Sequence, residues 1–353
     1  MYMNETILTQ RQGYILNIVN QSEGLLRKEI HERAEKLYKT SKPTLIRDLN
    51  FLLKNGLIKT KGKAKATRYL PTSNSPLLRQ FNKDEYFAED PDKRLGAKKS
   101  FEFEVFIHLH NLFLKDETGE LKKLSQSYDE KTKKLSADIF KMELERFVIE
   151  LSWKSSKIEG NTYTLLETES LIKEQKEAFG KSRNEAIMIL NHKNAFNEIL
   201  RNKKQFREIT ISEINQLHNI LMKDLGITSG IRKHSVGITG TVYKPLDNQH
   251  QIREALEKTI DVINKINDPF EKALIAHLMI PYIQPYVDGN KRTARMLTNA
   301  ILLAYDLYPL SYRSVDEDEF KKALILFYEQ LSIVYIKDLF IEQVKFANGN
   351  YFQ

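Results

Sequence analysis

The chain has 353 residues, 41% of them apolar and 29% charged, enough for two or three domains with at least one sizeable core. It contains no cysteine, which excludes disulfides and thiolate metal sites. It also lacks a signal pattern and any apolar run of membrane-spanning length, so a cytoplasmic protein with no membrane partner is expected. Residues 1–70 hold 14 Lys+Arg against 6 Asp+Glu while the others balance at 41 against 41, so the net charge of +8 lies in the first fifth and points to a nucleic-acid-facing module on a neutral body.

The first elements fit that module. "RQGYILNIVNQSEGLLRKEIHERA" reads as a helix, a break at Gly24 and a second short helix. "SKPTLIRDLNFLLKNGLI" predicts a third, with Ser41 as N-cap, Pro43 in the first turn and Gly56 as the stop. Leu45, Leu49, Leu52 and Leu53 share one face, and Lys42, Thr44 and Arg47 lie towards the other. "LIKTKGKAKATRYL" reads as two strands around a lysine-rich turn. Three helices and a hairpin over residues 1–70 resemble a winged helix-turn-helix. In that fold the third helix enters the major groove, and Lys61, Lys63 and Lys65 would contact phosphate. A winged helix used only for dimerisation or as an adapter is the alternative reading.

Residues 71–134 read as a connector and helical region. "FEFEVFIHL" within it suits either a strand or the start of a helix. From about residue 120 the periodicity is helical, with no fixed-period repeat. One stretch, "KHSVGITGTVYKPL", is β-branched and glycine-rich, and predicts a short hairpin flap. The fold class expected is therefore mainly α: a helical core with a small β-hairpin flap, preceded by the winged helix.

The segment with the most chemistry is "QPYVDGNKRTAR", Gln284 to Arg295, between two predicted helices. A glycine-containing loop that opens a helix presents unpaired N–H groups and the positive end of the dipole, which suits an anion. Asp288 can hold a magnesium ion between phosphate oxygens. Gly289, Asn290 and Lys291 form the loop, and Arg292 and Arg295 share a face that can neutralise a polyphosphate. An Mg²⁺–nucleotide site is thus expected, with an ordinary helix cap carrying exposed arginines as the alternative reading; ATP as the nucleotide is what the resemblance described next implies.

This stretch resembles the Fic family signature, His-x-Phe-x-Asp/Glu-Gly-Asn-Gly-Arg-x-x-Arg. Tyr286, Asp288, Gly289, Asn290, Arg292 and Arg295 align with it. "INQLHNIL", "GIRKHSVGI" and the flap precede the loop in the family's order, and "SSKIEG" (Ser155 to Gly160) resembles its inhibitory-helix motif. The resemblance implies a core over residues 135–320, an inhibitory helix near 143–160 and a C-terminal helical extension over 321–353. It implies transfer of AMP from ATP to a target hydroxyl, with restraint by Glu159, the residue after three that follow Ser155, through a salt bridge to Arg295; Gly160 completes the motif. It also implies that Thr239, Gly240, Thr241, Val242 and Tyr243 offer a strand edge to a protein target. A homodimer is compatible with the resemblance.

Two positions depart from the signature. The base position is Gln284, and an amide has no proton acceptor that titrates near neutral pH. Loss of a positioned base costs about two to four orders of magnitude in rate. Lys291 replaces a glycine, and "GNKRTA" resembles the related Doc toxins, which are kinases. Three readings follow: a weakened adenylyltransferase, a silent nucleotide-binding regulator, or a Doc-like kinase.

Overall fold

The computed structural model describes residues 8–72 and 75–353, apart from the side chains of Lys65 and Asp129. The chain divides into two compact units. The first takes residues through Lys99 together with Ile238–Tyr243 and Lys322–Tyr335, and the second takes Ser100–Gly237, Lys244–Lys321 and Ile336–Gln353.

The first unit begins with α1 (Gln10–Asn20), β1 (Leu25–Leu26), α2 (Arg27–Ala34) and α3 (Lys42–Lys54). β2 (Ile58–Lys61), β3 (Arg68–Pro71) and α4 (Lys83–Phe87) follow. The start of α3 is set locally. Ser41 accepts from the Thr44 N–H, Pro43 occupies the first turn, where its missing donor costs nothing, and Gly56 follows the helix at φ +68°. Leu45, Leu49 and Leu52 are buried with Ile15, Val19, Ile30 and Ile58 in one core. The strands form an antiparallel sheet in the order β1-β3-β2, with Lys61 opposite Arg68. The two-residue β1, between helices and without an alternating pattern, gave no signal of its own. A half-buried ion pair links α3 to α1: Arg11 Nε donates to the buried Asp48 at 2.6 Å, and Gln12 donates to the same carboxylate at 3.2 Å.

The second unit is helical among its described residues. It contains α5 (Val105–His108), α6 (Lys115–Thr132), α7 (Ala137–Ile158), α8 (Leu165–Glu174), α9 (Arg183–Arg201) and α10 (Ile211–Met222). It continues through α11 (Gln249–Lys265), α12 (Pro269–Ile283) and α13 (Asn290–Ala304). α14 (Glu317–Gln330) and α15 (Val334–Asn350) contribute residues to both units. "FEFEVFIHL" resolves as the single turn of α5. α12 is apolar all round and buried from Ala273 to Ile283, packed along α13 and α11. That burial makes it a rigid base for the loop at its end.

The expected hairpin does not form. Among the described residues, 233–246 contain no strand, and the one ladder contact is an isolated parallel bridge between Lys244 and Ser100. Side chains take the backbone groups that a hairpin would pair. In the first unit, Arg94 donates to the Gly240 carbonyl at 2.8 Å, the Val242 N–H donates to Glu329 at 3.3 Å, and the Tyr243 N–H donates to Thr241 Oγ1 at 3.1 Å. In the second, the buried Arg232 guanidinium donates to the carbonyls of His234, Leu246 and Gln284, tying the two ends of the segment to the end of α12. With those groups satisfied, the β-branched pattern has no pairing left to drive it.

Candidate functional site

The site grows from the junction of α12 and α13. Pro285 disfavours another right-handed helical residue before it, and Gln284 ends α12 in the left-handed region at φ 52°, ψ 60°. Gly289 opens α13 at φ +80°, and a Cβ there would lie 2.6 Å from Met222 Sδ, so both conformation and packing call for glycine. The first N–H groups of α13 lack intrahelical acceptors, which gives the loop the anion-attracting end of a helix.

Asn290 holds the loop closed. Its Nδ2 donates to the Tyr286 carbonyl at 2.9 Å and to Gln284 Oε1 at 2.7 Å, while its Oδ1 accepts from the Tyr286 N–H at 2.9 Å. Gln284 Nε2 donates to the Pro281 carbonyl at 2.8 Å. Both functions of the Gln284 amide are therefore engaged inside the loop, and the residue is 8% exposed. Here glutamine is a brace rather than a free group facing a substrate.

One face of α10 supports the loop through Asn215, His218 and Met222, at i, i+3 and i+7. Tyr286 donates its hydroxyl to Asn215 at 2.7 Å. The His218 ring stacks on the Tyr286 ring with centroids 3.7 Å apart, and its Nε2 meets the Asp288 carbonyl at 3.0 Å. Burial pushes the His218 pKa down. Asn215 and His218, three apart within "INQLHNIL", and Met222 just after it were not singled out from the sequence as supports of the loop, although their spacing puts them on one helix face. His277 is a core residue, with Nδ1 3.2 Å from Thr298 Oγ1, and burial pushes its pKa down to about 3.

The two arginines face different carboxylates. Arg292 Nη2 donates to Asp288 at 2.8 Å, and Asp288 also accepts from the Gly289 N–H at 2.6 Å. Arg295, 1% exposed, donates from Nε to Ser155 Oγ at 2.9 Å, and from Nη2 to the Ser155 carbonyl at 2.8 Å and to Glu159 at 2.9 Å. Glu159 sits at the C-cap of α7, followed by Gly160 at φ +94°, and its second oxygen lies 3.5 Å from Lys291 Nζ. Burial would raise the Glu159 pKa. The Arg295 and Lys291 charges and the Arg295 hydrogen bond overcome that and hold the carboxyl down at about 2. The geometry thus brings together Ser155, Glu159, Lys291 and Arg295, and separately Asp288 and Arg292.

Nη1 of Arg292 and Nη1 of Arg295 are buried and have no hydrogen-bond partner. Buried donors are normally paired, and burial pushes the Arg292 pKa down. Phosphate oxygens fit such a donor set, with charge and hydrogen-bond demand both met. Among the described residues no cluster of three or more His, Cys, Asp and Glu forms a metal cage. Asp288, 59% exposed at its side chain, is the carboxylate within this loop.

The flap residues belong to the first unit. Thr239 and Gly240 are exposed, Thr241 and Val242 are half-buried, and Tyr243 is buried. Their carbonyl and N–H contacts to Arg94 and Glu329 occupy part of the edge expected for a target. In the first unit, Lys42, Arg47, Lys61 and Lys63 are exposed, and Thr44 is half-buried with its hydroxyl 2.9 Å from that of Ser41. The Lys65 side chain lies outside the described residues. No described helix is long and apolar enough to cross a membrane.

Comparison with known proteins places this geometry. Residues 208–302, from just before α10 to near the end of α13, match the Fic/DOC family model. The chain is 31% identical over 149 residues to a protein adenylyltransferase Fic of Drosophila ananassae, covering 41% of this chain and 30% of that protein. It is 30% identical over 183 residues to a protein of the same name from Nematostella vectensis, covering 49% and 41%. The chain thus spans well under half the length of these relatives. A Fic-domain signalling protein from Bacteroides thetaiotaomicron shares the fold at TM-score 0.55 and 22% identity, over 66% of this chain and 98% of that one. Fic-1 from C. elegans does so at 0.54 and 21%, over 67% and 72%. Sequence likeness centres on the helices that carry the loop and the fold extends beyond them: this chain carries a domain of the Fic/DOC family over residues 208–302.

Proposed function

We propose that the chain binds ATP at the loop between α12 and α13, that Glu159 restrains productive binding, and that Gln284 slows transfer of AMP to a protein hydroxyl, the activity named for its relatives. The observation that carries this reading is Arg295. It is buried, pairs with Glu159 on one side and keeps a nitrogen without a partner on the other. A phosphate that engages Arg295 must compete with Glu159, and the charge of Glu159 opposes it. Asp288 is the residue that would hold Mg²⁺ with phosphate oxygens, where the ion would neutralise charge; its pairing with Arg292 would have to be shared or released.

Transfer requires a hydroxyl oxygen to bond the α-phosphorus while pyrophosphate leaves, and the hydroxyl proton needs an acceptor. Gln284 Oε1 already accepts from Asn290 and is not basic, which supports a slow step. The exposed Lys42, Arg47, Lys61 and Lys63, with the basic excess of the first 70 residues, support a DNA-binding role for the first unit, in keeping with a cytoplasmic regulator. The Doc-like kinase reading is weaker, because the added charge of Lys291 is engaged with Glu159.

Intact-protein mass after incubation with ATP and Mg²⁺ tests the reading on wild type, Glu159→Gly, and Glu159→Gly with Gln284→His. The double variant is expected to gain an adenylyl increment, and the wild type little or none. A phosphoryl increment would point to kinase chemistry. Absence of ATP binding in all three proteins would sink the proposal.

A further inference from the structure

Three helices of the second unit meet at Arg295 through a side chain that neither the signature nor the loop contains. His192, on α9, is 1% exposed. Its Nδ1 lies 2.8 Å from the Met188 carbonyl, one helical turn back, and 3.3 Å from Ser156 Oγ. Its Nε2 lies 2.9 Å from Ser155 Oγ on α7. A carbonyl can only accept, so Nδ1 carries the proton and Nε2 is left with its lone pair. Ser155 must then donate its hydroxyl proton to Nε2, which aims the oxygen's remaining lone pairs elsewhere. Arg295 Nε, 2.9 Å from that oxygen, donates into one of them.

We infer that His192 is a positioning residue for the Glu159 restraint: by accepting the Ser155 hydroxyl proton it fixes that oxygen as the acceptor that holds Arg295 within reach of Glu159. The inference rests on the autoinhibited reading above. The order of donation is complete along the chain: Arg295 Nε–H to Ser155 Oγ, Ser155 O–H to His192 Nε2, His192 Nδ1–H to the Met188 carbonyl. Without the imidazole, the Ser155 hydroxyl is free to turn its proton towards the guanidinium, and the Arg295 contact weakens. A neutral ring is required, because a protonated one would donate at Nε2 and leave the Ser155 proton without its acceptor. Burial, with the nearby Arg292 and Arg295 charges adding to it, pushes the His192 pKa down to about 3, so the ring stays neutral under ordinary conditions.

Affinity for ATP, measured by calorimetry on the full chain, separates the possibilities. His192→Phe keeps volume and removes the acceptor. It is expected to tighten ATP about three- to tenfold, the worth of one hydrogen bond that restrains Arg295. Ser155→Ala should do the same, which protects the test if the phenylalanine variant folds poorly. His192→Gln, which restores an acceptor, should return towards wild type. In a Glu159→Gly background, His192→Phe should change nothing further, whereas a merely structural residue would shift affinity in both backgrounds. If Glu159→Gly tightens ATP while His192→Phe and Ser155→Ala do not, or if His192→Phe acts equally with and without Glu159, the role assigned to His192 is overturned. If Glu159→Gly itself leaves ATP affinity unchanged, the autoinhibited reading fails and takes this inference with it.

Discussion

Replacing Glu159 by glutamine removes a charge and keeps its shape, which isolates the electrostatic part of the restraint. The folded protein holds this carboxyl at about 2 against an ordinary value of 4.5. That difference corresponds to about 3 kcal/mol of stability at neutral pH. Because the folded value is the depressed one, the contribution is complete above the unfolded value and is lost as pH falls towards the folded one. The gap between wild type and Glu159→Gln should therefore be about 3 kcal/mol at pH 7 and fall to about 1 kcal/mol at pH 3. Trp153, the only tryptophan of the chain, reports on this region: it lies on α7, with Nε1 donating to the Tyr163 carbonyl at 3.1 Å. Urea unfolding followed by its fluorescence measures both proteins at both pH values, and groups common to them cancel in the difference. A gap well below 1 kcal/mol at pH 7, or one that is the same at pH 3, would refute the claim that Arg295 and Lys291 hold an ionised Glu159.

Other consequences are open to simpler measurements. Gly289→Ala places a Cβ 2.6 Å from Met222 Sδ at φ +80°, so a loss of about 1 to 3 kcal/mol is expected as the thioether moves and the backbone strains; an unchanged melting temperature would contradict the packing described. Thr241→Val removes the donor to Glu329 at 2.6 Å and the acceptor of the Tyr243 N–H, so limited proteolysis should cut near Thr239–Tyr243 several-fold faster. Equal cutting rates would mean that these contacts do not hold the segment. Lys63→Ala should lower the salt slope of DNA binding by about one without changing sequence preference; a slope that stays the same would remove Lys63 from the interface.

Much of the loop was legible because its rules are local. A glycine before a helix and two arginines three apart each act within a turn, so the pattern alone points to them, whereas the different carboxylates that the two arginines meet are not in the pattern. The pairing of Glu159 with Arg295 came only through the family resemblance, since the two are 136 residues apart and nothing in spacing joins them. Gln284 was read as a missing base. Its positive role, as the acceptor that helps Asn290 close the loop, depends on a left-handed backbone that no residue count reveals.

The flap marks the same boundary from the other side. Its residues carry a strand pattern, yet pairing is decided by whether backbone groups find better partners. Arg94 and Glu329 supply these in the first unit, and Arg232 does so in the second. The sequence by itself determined where α3 starts and stops and where charge accumulates, because capping and composition act between neighbours in the chain. Only the tertiary structure decided which carboxylate each arginine meets, which histidine lies beside Ser155, and whether a β-prone segment pairs, because those outcomes depend on groups brought together from distant parts of the chain.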